Sequence, residues 1–119
     1  MSTTTSRADL IRRCLAAWEA SDAGALDALL ADDFTFTSPN DDHLNRAQYW
    51  EVCWPGSKMI RRIHVLNVMA DGDEAFVRYE AELTDGKRFK NTEYFRFKGD
   101  RIAAVEVYFG RTIAEADGG

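Results

Sequence analysis

The sequence lacks any apolar run close to the roughly 20 residues that a membrane-spanning helix needs. Residues 1–6 are polar, not a basic segment followed by an apolar one, so no export signal is predicted. Only two cysteines occur, Cys14 and Cys53, and a chain with an ordinary core needs no disulfide to fold. We therefore expect a cytoplasmic protein with two free thiols and no membrane partner.

Clustered basic charge is also missing. The chain has 15 Lys and Arg against 20 Asp and Glu, a formal net charge of −5, and the basic residues lie among acidic neighbours. Nucleic-acid affinity comes mainly from grouped Lys and Arg, so nucleic acid is not an expected partner. The sequence has no phosphate-binding glycine loop, no dinucleotide fingerprint and no zinc-type Cys/His spacing. Neither a cofactor nor a metal ion is predicted.

The composition that is present fits one globular domain. Of the 119 residues, 45% are apolar and 12% are aromatic, enough for one core and too few for two. We expect a single domain over residues 1–119, structured over about 7–111, with short polar tails.

The first half of the chain has helical periodicity. Apolar spacing and capping residues predict three helices, which begin near Ser6, at Ser21 or Asp22, and at Asn45. The second helix is expected to reach Leu30. An alternating strand, Phe34–Ser38, follows it, and the polar residues 40–44 are predicted to form a loop.

The second half alternates between apolar and polar residues. Four strands are predicted at about 61–70, 74–84, 87–98 and 101–109, joined by Asp-Gly and Gly-Asp turns typical of tight hairpins. This order indicates an α+β fold in which three N-terminal helices cover a curved, mostly antiparallel sheet. The result would be a cone-shaped barrel with an open mouth.

Strand alternation also predicts which side chains face the inside of the cone. In the third of these strands they are Phe89, Asn91, Glu93, Phe95 and Phe97. The neighbouring strands contribute Val77, Tyr79, Ala81, Leu83, Ala103, Val105, Val107 and Phe109. The opposite face is unusually apolar because it carries Phe76, Tyr94, Ile102 and Tyr108, and a homodimer through this outer face would explain it.

Glu93 is the most informative of the inward residues. A carboxyl group on an aromatic wall loses solvation of its charged form, which raises its pKa. A raised pKa prepares a carboxyl group to act as an acid or base near neutral pH. Alternatively, Glu93 lies hydrated near the mouth or pairs with an arginine such as Arg62 or Arg78.

A second set of candidates lies in the polar segment 38–43. Asp41, Asp42 and His43 precede a Trp-rich helix, and such loops often orient ligands at a cavity mouth. His43 is the strongest of the three because it titrates near neutral pH. Ordinary turn formation would equally explain these residues.

Four segments give the chain a familiar pattern: Trp18–Asp22, Leu30–Phe36, Glu93–Ile102 and Val107–Phe109. Together they resemble the SnoaL-like branch of the nuclear transport factor 2-like superfamily, over about residues 7–111. The resemblance implies a cone-shaped, usually dimeric α+β barrel. Members include polyketide cyclases, ketosteroid isomerases, epoxide hydrolases, dehydratases and simple binding proteins, so the fold alone does not decide function.

The resemblance also bears on chemistry. Ketosteroid isomerases of this superfamily use an Asp base, a Tyr and a protonated Asp, at positions that correspond here to Ser38, Cys14 and Glu93. Only Glu93 keeps the chemical type, so a typical ketosteroid isomerase is not expected. SnoaL-like cyclases rely on a carboxyl group inside the cone, a role that Glu93 could fill.

The leading hypothesis is a cofactor-free isomerase, cyclase or dehydratase acting on an apolar or aromatic oxygenated ligand. Glu93 would be the acid or base, with His43 or Asp41 as a proton relay. The expected substrate-binding residues are Ser38, Asn91, Trp50, Trp54, Phe109, Cys14 and Tyr79. The alternative is a non-catalytic ligand-binding or dimerising protein-interaction module, and a cavity below roughly 300 Å³ would favour a scaffold with no ligand.

Overall fold

The structure is a computed structural model that describes residues 6–113, with side chains through residue 110. The predicted tails fall almost wholly outside these residues. The helices are α1 (Arg7–Ala20), α2 (Ala23–Asp27), α3 (Arg46–Val52) and a 3-10 helix (Trp54–Met59). The strands are β1 (Leu30–Ser38), β2 (Asp41–Asn45), β3 (Ile60–Asp71), β4 (Glu74–Leu83), β5 (Arg88–Lys98) and β6 (Arg101–Ile113). Within the described part, no helix is long and apolar enough to cross a membrane.

Capping side chains start the helices where the sequence predicts them. The Ser6 hydroxyl accepts a hydrogen bond from the Asp9 amide (3.1 Å) at the start of α1. At the start of α3, the Gln48 amide donates to Asn45 Oδ1 (2.9 Å) and the Asn45 amide donates to Gln48 Oε1 (2.8 Å). This reciprocal pair is the predicted capping box.

The sheet has the order β2-β1-β6-β5-β4-β3. Strands β3 to β6 form the predicted antiparallel meander, and β1 pairs with β6 in parallel. Helix α1 packs against β3 and β4, so the core lies between the helices and the inner face of a curved, open sheet. The fold class is the predicted cone-shaped α+β architecture.

The segment between α2 and α3 differs from the prediction. The α2 helix ends at Asp27, and β1 begins already at Leu30, because the Ile102 amide donates to the Leu29 carbonyl (2.7 Å) and Leu30 pairs with Ile102. The predicted loop 40–44 is instead mostly strand β2, which pairs with β1 after a tight turn. Pairing with a sheet edge satisfies the backbone of both segments.

One residue that was predicted to face outward faces the core instead, because of a β-bulge. Phe97 pairs with Ile102 whereas Arg96 pairs with Ala104, so Ala103 is an extra residue in β6. The bulge reverses the alternation on one side of it. Ile102 therefore faces the core and is 0% exposed, and its predicted place on the outer face was wrong.

Gly110 lies at a second irregularity, where β6 passes close to β5. A Cβ atom on residue 110 would lie 2.1 Å from the Lys90 carbonyl oxygen and 2.9 Å from its carbon. Because both atoms are backbone, Gly110→Ala should lower the free energy of unfolding by about 2 kcal/mol in urea denaturation. Gly56→Ala is the control, since a Cβ there would meet nothing within 4 Å. Equal stability of the two variants would show that the strand end adjusts without cost.

Candidate functional site

The inner face of the sheet and the helices enclose a cavity of about 340 Å³. This volume is above the roughly 300 Å³ at which ligand pockets begin, so the core does not fill itself with its own side chains. The walls are mainly apolar and aromatic. The polar or ionisable lining residues are Cys14, Ser38, Asn40, Asp41, Tyr49, Cys53, Tyr79, Asn91 and Glu93.

Glu93 lies on this wall, as its strand register predicts. It pairs with Val77 of β4 and Val107 of β6, both of which are buried. Its pKa is raised to about 7 because burial removes water from the charged form, while the hydrogen bond from Tyr79 acts in the opposite direction. The carboxyl group is thus present in both protonation states near neutral pH.

Neither Arg62 nor Arg78 pairs with Glu93. Arg78 Nε donates to Asn67 Oδ1 (2.9 Å). Among the described residues no salt bridge involves Glu93 or Arg62. Glu93 therefore does not form the ion pair with an arginine that was its alternative interpretation.

A chain of hydrogen bonds holds the Glu93 carboxyl group in place. The Gly110 amide donates to Asn91 Oδ1 (3.1 Å), Asn91 Nδ2 donates to the Tyr79 hydroxyl (3.3 Å), and that hydroxyl donates to Glu93 Oε2 (2.5 Å). The Gly110 amide fixes which way the Asn91 side chain points. Because one carboxyl oxygen is held by Tyr79, Oε1 is the oxygen left to face a ligand.

The turn between β1 and β2 brings two of the predicted residues to the cavity. The Ser38 hydroxyl donates to Asp41 Oδ2 (3.2 Å) and accepts from the Asn40 amide (3.1 Å). All three residues line the cavity and Asp41 is half-buried. Ser38 and Asp41 therefore form one hydrogen-bonded pair on the cavity wall.

His43 is not brought to the cavity. Its side chain is 68% exposed, and its Nδ1 lies 2.6 Å from Asp42 Oδ1. The backbone of His43 has a left-handed φ of 50° and its amide donates to Thr37 Oγ1 (3.1 Å). The Asp42 side chain is 89% exposed, and neither it nor His43 lines the cavity, so the structure does not place either residue as a proton relay to Glu93.

The two predicted tryptophans also lie outside the cavity lining. Trp50 packs edge-to-face on Trp54 (ring centroids 5.2 Å apart), and Trp54 packs on Trp18 (5.0 Å). Trp18 itself lines the cavity, as does Tyr49. Other aromatic residues therefore build the wall, and Trp18 and Tyr49 are both cavity residues that the sequence did not predict.

Both thiols line the cavity and neither is in a disulfide. Burial raises the pKa of Cys14, and burial followed by the charge of Asp41 raises the pKa of Cys53 to about 11. Both groups stay protonated near neutral pH, so neither is prepared as a thiolate nucleophile.

A second cavity of about 380 Å³ adjoins the first. The two share Phe89, Asn91 and Phe109, and the second adds the basic side chains of Lys87 and Arg88. Phe109 is 56% exposed where the cavities meet. A ligand longer than the inner cavity would extend past Phe109 into this space.

The family model of the SnoaL-like domain matches residues 11–105. No protein with a curated description matches the sequence. Within the residues that the structure describes, no group of three or more His, Cys, Asp or Glu side chains could hold a metal ion.

Several solved structures share this architecture. A protein of unknown function described as NTF2-like, from Cytophaga hutchinsonii, superposes with a TM-score of 0.74 at 19% identity, over 92% of this chain and 94% of that one. A protein described as a candidate polyketide cyclase, from Sinorhizobium meliloti, has a TM-score of 0.72 at 24% identity, over 83% and 93%. One described as a candidate ketosteroid isomerase, from Kribbella flavida, has a TM-score of 0.72 at 19% identity, over 88% and 78%. At these identities the similarity shows the fold alone.

Proposed function

Because the chain belongs to the SnoaL-like domain family, we propose that it is a cofactor-free enzyme in which Glu93 moves a proton on an apolar, oxygenated small molecule. The reaction class is isomerisation, aldol-type cyclisation or dehydration. One observation carries the proposal. The Glu93 carboxyl group, with a pKa of about 7, is held by Tyr79 on the wall of a largely apolar cavity of about 340 Å³.

The chemistry requires one group that can both accept and donate a proton. The Glu93 carboxylate takes a proton from a carbon next to a carbonyl group, and the electrons of that C–H bond move towards the carbonyl oxygen. The protonated Glu93 then returns the proton to another atom of the same substrate. A pKa near the working pH makes both steps accessible to one side chain.

The other lining residues have supporting roles. Asn91 and Tyr79 act as positioning residues because their hydrogen bonds fix the carboxyl group. Ser38, paired with Asp41, offers an oxygen on the cavity wall. Cys14 and Phe109 complete the wall on the helix side and at the junction with the second cavity.

A ligand screen tests this function directly. Cyclic ketones, polyketide fragments, terpenoid epoxides and aromatic acids would be added to wild type and to Glu93→Gln, and the midpoint of thermal unfolding would be followed, since a ligand of the folded state raises it. Stabilising compounds would then be assayed for conversion. We expect a ketone-bearing class to stabilise wild type and to be converted. Binding without conversion would favour the non-catalytic binding module, and no binding would favour the protein-interaction module.

We also propose that the chain forms a homodimer through the outer face of the sheet. Phe76 is 49% exposed, Tyr108 53% and Met69 74%, and Phe76 pairs across strands with both Met69 and Tyr94. Such a contiguous apolar patch is typical of an interface. In sedimentation velocity, Phe76→Glu should convert dimer to monomer, whereas Met59→Glu, at a residue 50% exposed on the 3-10 helix, should not. A wild-type monomer would contradict the proposal.

A further inference from the structure

The hydroxyl group of Tyr49 accepts a hydrogen bond within the fold, but its own hydrogen has no acceptor among the described side chains. The residue lies on α3, is 3% exposed and lines the cavity. Its hydroxyl oxygen accepts a hydrogen bond from Trp18 Nε1 (2.8 Å). Among the described side chains, none accepts the hydrogen of this hydroxyl group.

A phenol carries one donor and an acceptor, and a buried donor without a partner is costly. Two other hydroxyl groups of the wall already donate to partners within the protein. Ser38 donates to Asp41, and the Tyr79 hydroxyl donates to Glu93. Tyr49 and Trp18 both line the cavity, so an acceptor atom placed in the cavity is what would complete the hydrogen bonding of Tyr49.

The surroundings keep Tyr49 a donor at all working pH values. Burial, with the nearby Cys14 next in effect, raises the pKa of Tyr49 well above its usual value, so the hydroxyl group keeps its proton. The hydrogen bond from Trp18 withdraws electron density from the oxygen and strengthens the O–H group as a donor.

We propose that Tyr49 donates a hydrogen bond to an acceptor oxygen of the bound molecule, which makes carbonyl compounds with an apolar body the substrate class of this cavity. This inference rests on the proposed function of Glu93. When Glu93 removes a proton from the carbon next to the carbonyl group, the C–H electrons form a carbon–carbon double bond and the carbonyl π electrons move to oxygen. The resulting enolate oxygen is the charge that Tyr49 stabilises, and Glu93 returns the proton.

Two isosteric probes isolate this hydrogen bond. In 2-acetylnaphthalene the ring carries a carbonyl oxygen, and in 2-isopropenylnaphthalene a methylene group replaces that oxygen. Wild type should bind the ketone about five- to tenfold more tightly than the alkene in calorimetric titration. In Tyr49→Phe the preference should disappear, with alkene affinity unchanged. The control is Trp50→Phe, because Trp50 lies on the same helix without lining the cavity.

Infrared spectroscopy of the bound ketone gives a second measurement, and its first comparison, with the ketone in hexane, needs wild type alone. The carbonyl stretch should lie at lower frequency than in hexane, and it should return towards the hexane value in Tyr49→Phe. Equal binding of the two probes by wild type, binding of neither, or a preference that survives in Tyr49→Phe would overturn the proposal. Glu93→Gln should keep the ketone preference, so failure of the catalytic function and failure of the Tyr49 donor give different results.

Discussion

Replacing Glu93 by glutamine is expected to lower kcat/KM by about 10²- to 10⁴-fold for any substrate found in the ligand screen, the range that general acid–base catalysis supplies. Glutamine has the same shape, and its side-chain oxygen can accept the hydrogen bond from Tyr79. The cavity should therefore keep its form, and binding should change little. What is lost is the ability to take up and return a proton.

Glu106→Gln is the matched control for the Glu93 variant. Glu106 lies on the outer face, where its carboxylate accepts a hydrogen bond from Tyr108 (2.8 Å), and the same substitution removes the same formal charge. Its kcat/KM should stay within about twofold of wild type. An equal loss in both variants, or none in Glu93→Gln, would remove Glu93 from the mechanism.

The pH profile of wild type supplies an independent check. If the carboxylate form of Glu93 is the base in the free enzyme, kcat/KM should rise with pH through about 7, where this group loses its proton. An exposed carboxyl group would place that rise near pH 4 to 5. The position of the rise therefore reports whether the cavity tunes Glu93.

Strand alternation predicts the position of Glu93 correctly because β5 and β6 pair without interruption between Asn91 and Arg96. Within this stretch the side chains alternate regularly between the two faces of the sheet, and every residue that was predicted to face inward does so. The same rule fails for Ile102 because the bulge at Ala103 adds one residue. A bulge depends on how two strands pair, and the alternation of residues in one strand gives no information about that pairing.

Helix α3 shows a different limit. Tyr49 and Trp50 are adjacent aromatic residues, so they point about 100° apart around a helix. Periodicity places each on a face but cannot tell which face meets the sheet in a helix of seven residues. Packing against Phe34 and Phe36 of β1 turns Tyr49 inward, and Trp50 is left to pack on Trp54. A contact between distant segments therefore decides which aromatic residue reaches the ligand.

The predicted position of His43 at the cavity mouth was not found, for a related reason. An imidazole can both donate and accept a proton, but the chemical type of a side chain carries no information about where it points. The pairing of β2 with β1 sets that direction, and it depends on whether residues 41–45 join the sheet edge. The candidates on a regular, central strand could thus be predicted, whereas of those beside the turn only Ser38 and Asp41 reach the cavity and Asp42 and His43 do not.

The last prediction concerns stability, and it follows from the same carboxyl group. The pKa of Glu93 is about 7 in the folded protein against 4.5 in its usual state. Since the folded state holds the proton more tightly, the contribution of Glu93 to the free energy of unfolding is fully present below pH 4.5. It is lost as pH rises through about 7. At about 1.4 kcal/mol per pKa unit, and with allowance for the access of Glu93 to the cavity, the loss is about 2 to 3 kcal/mol.

Glutamine has no proton to lose, so Glu93→Gln should escape this loss. In urea denaturation, the free energy of unfolding of the variant relative to wild type should increase by about 2 to 3 kcal/mol between pH 4 and pH 8. Glu106→Gln should show no such change, since its carboxyl group lies on the outer face. A difference that stays flat with pH would mean that Glu93 is well solvated, and it would then lack the pKa that its catalytic role requires. A variant that is more stable at pH 8 but inactive would mean that the fold gives up stability to keep a carboxylate in this cavity, as expected where a site is selected for chemistry.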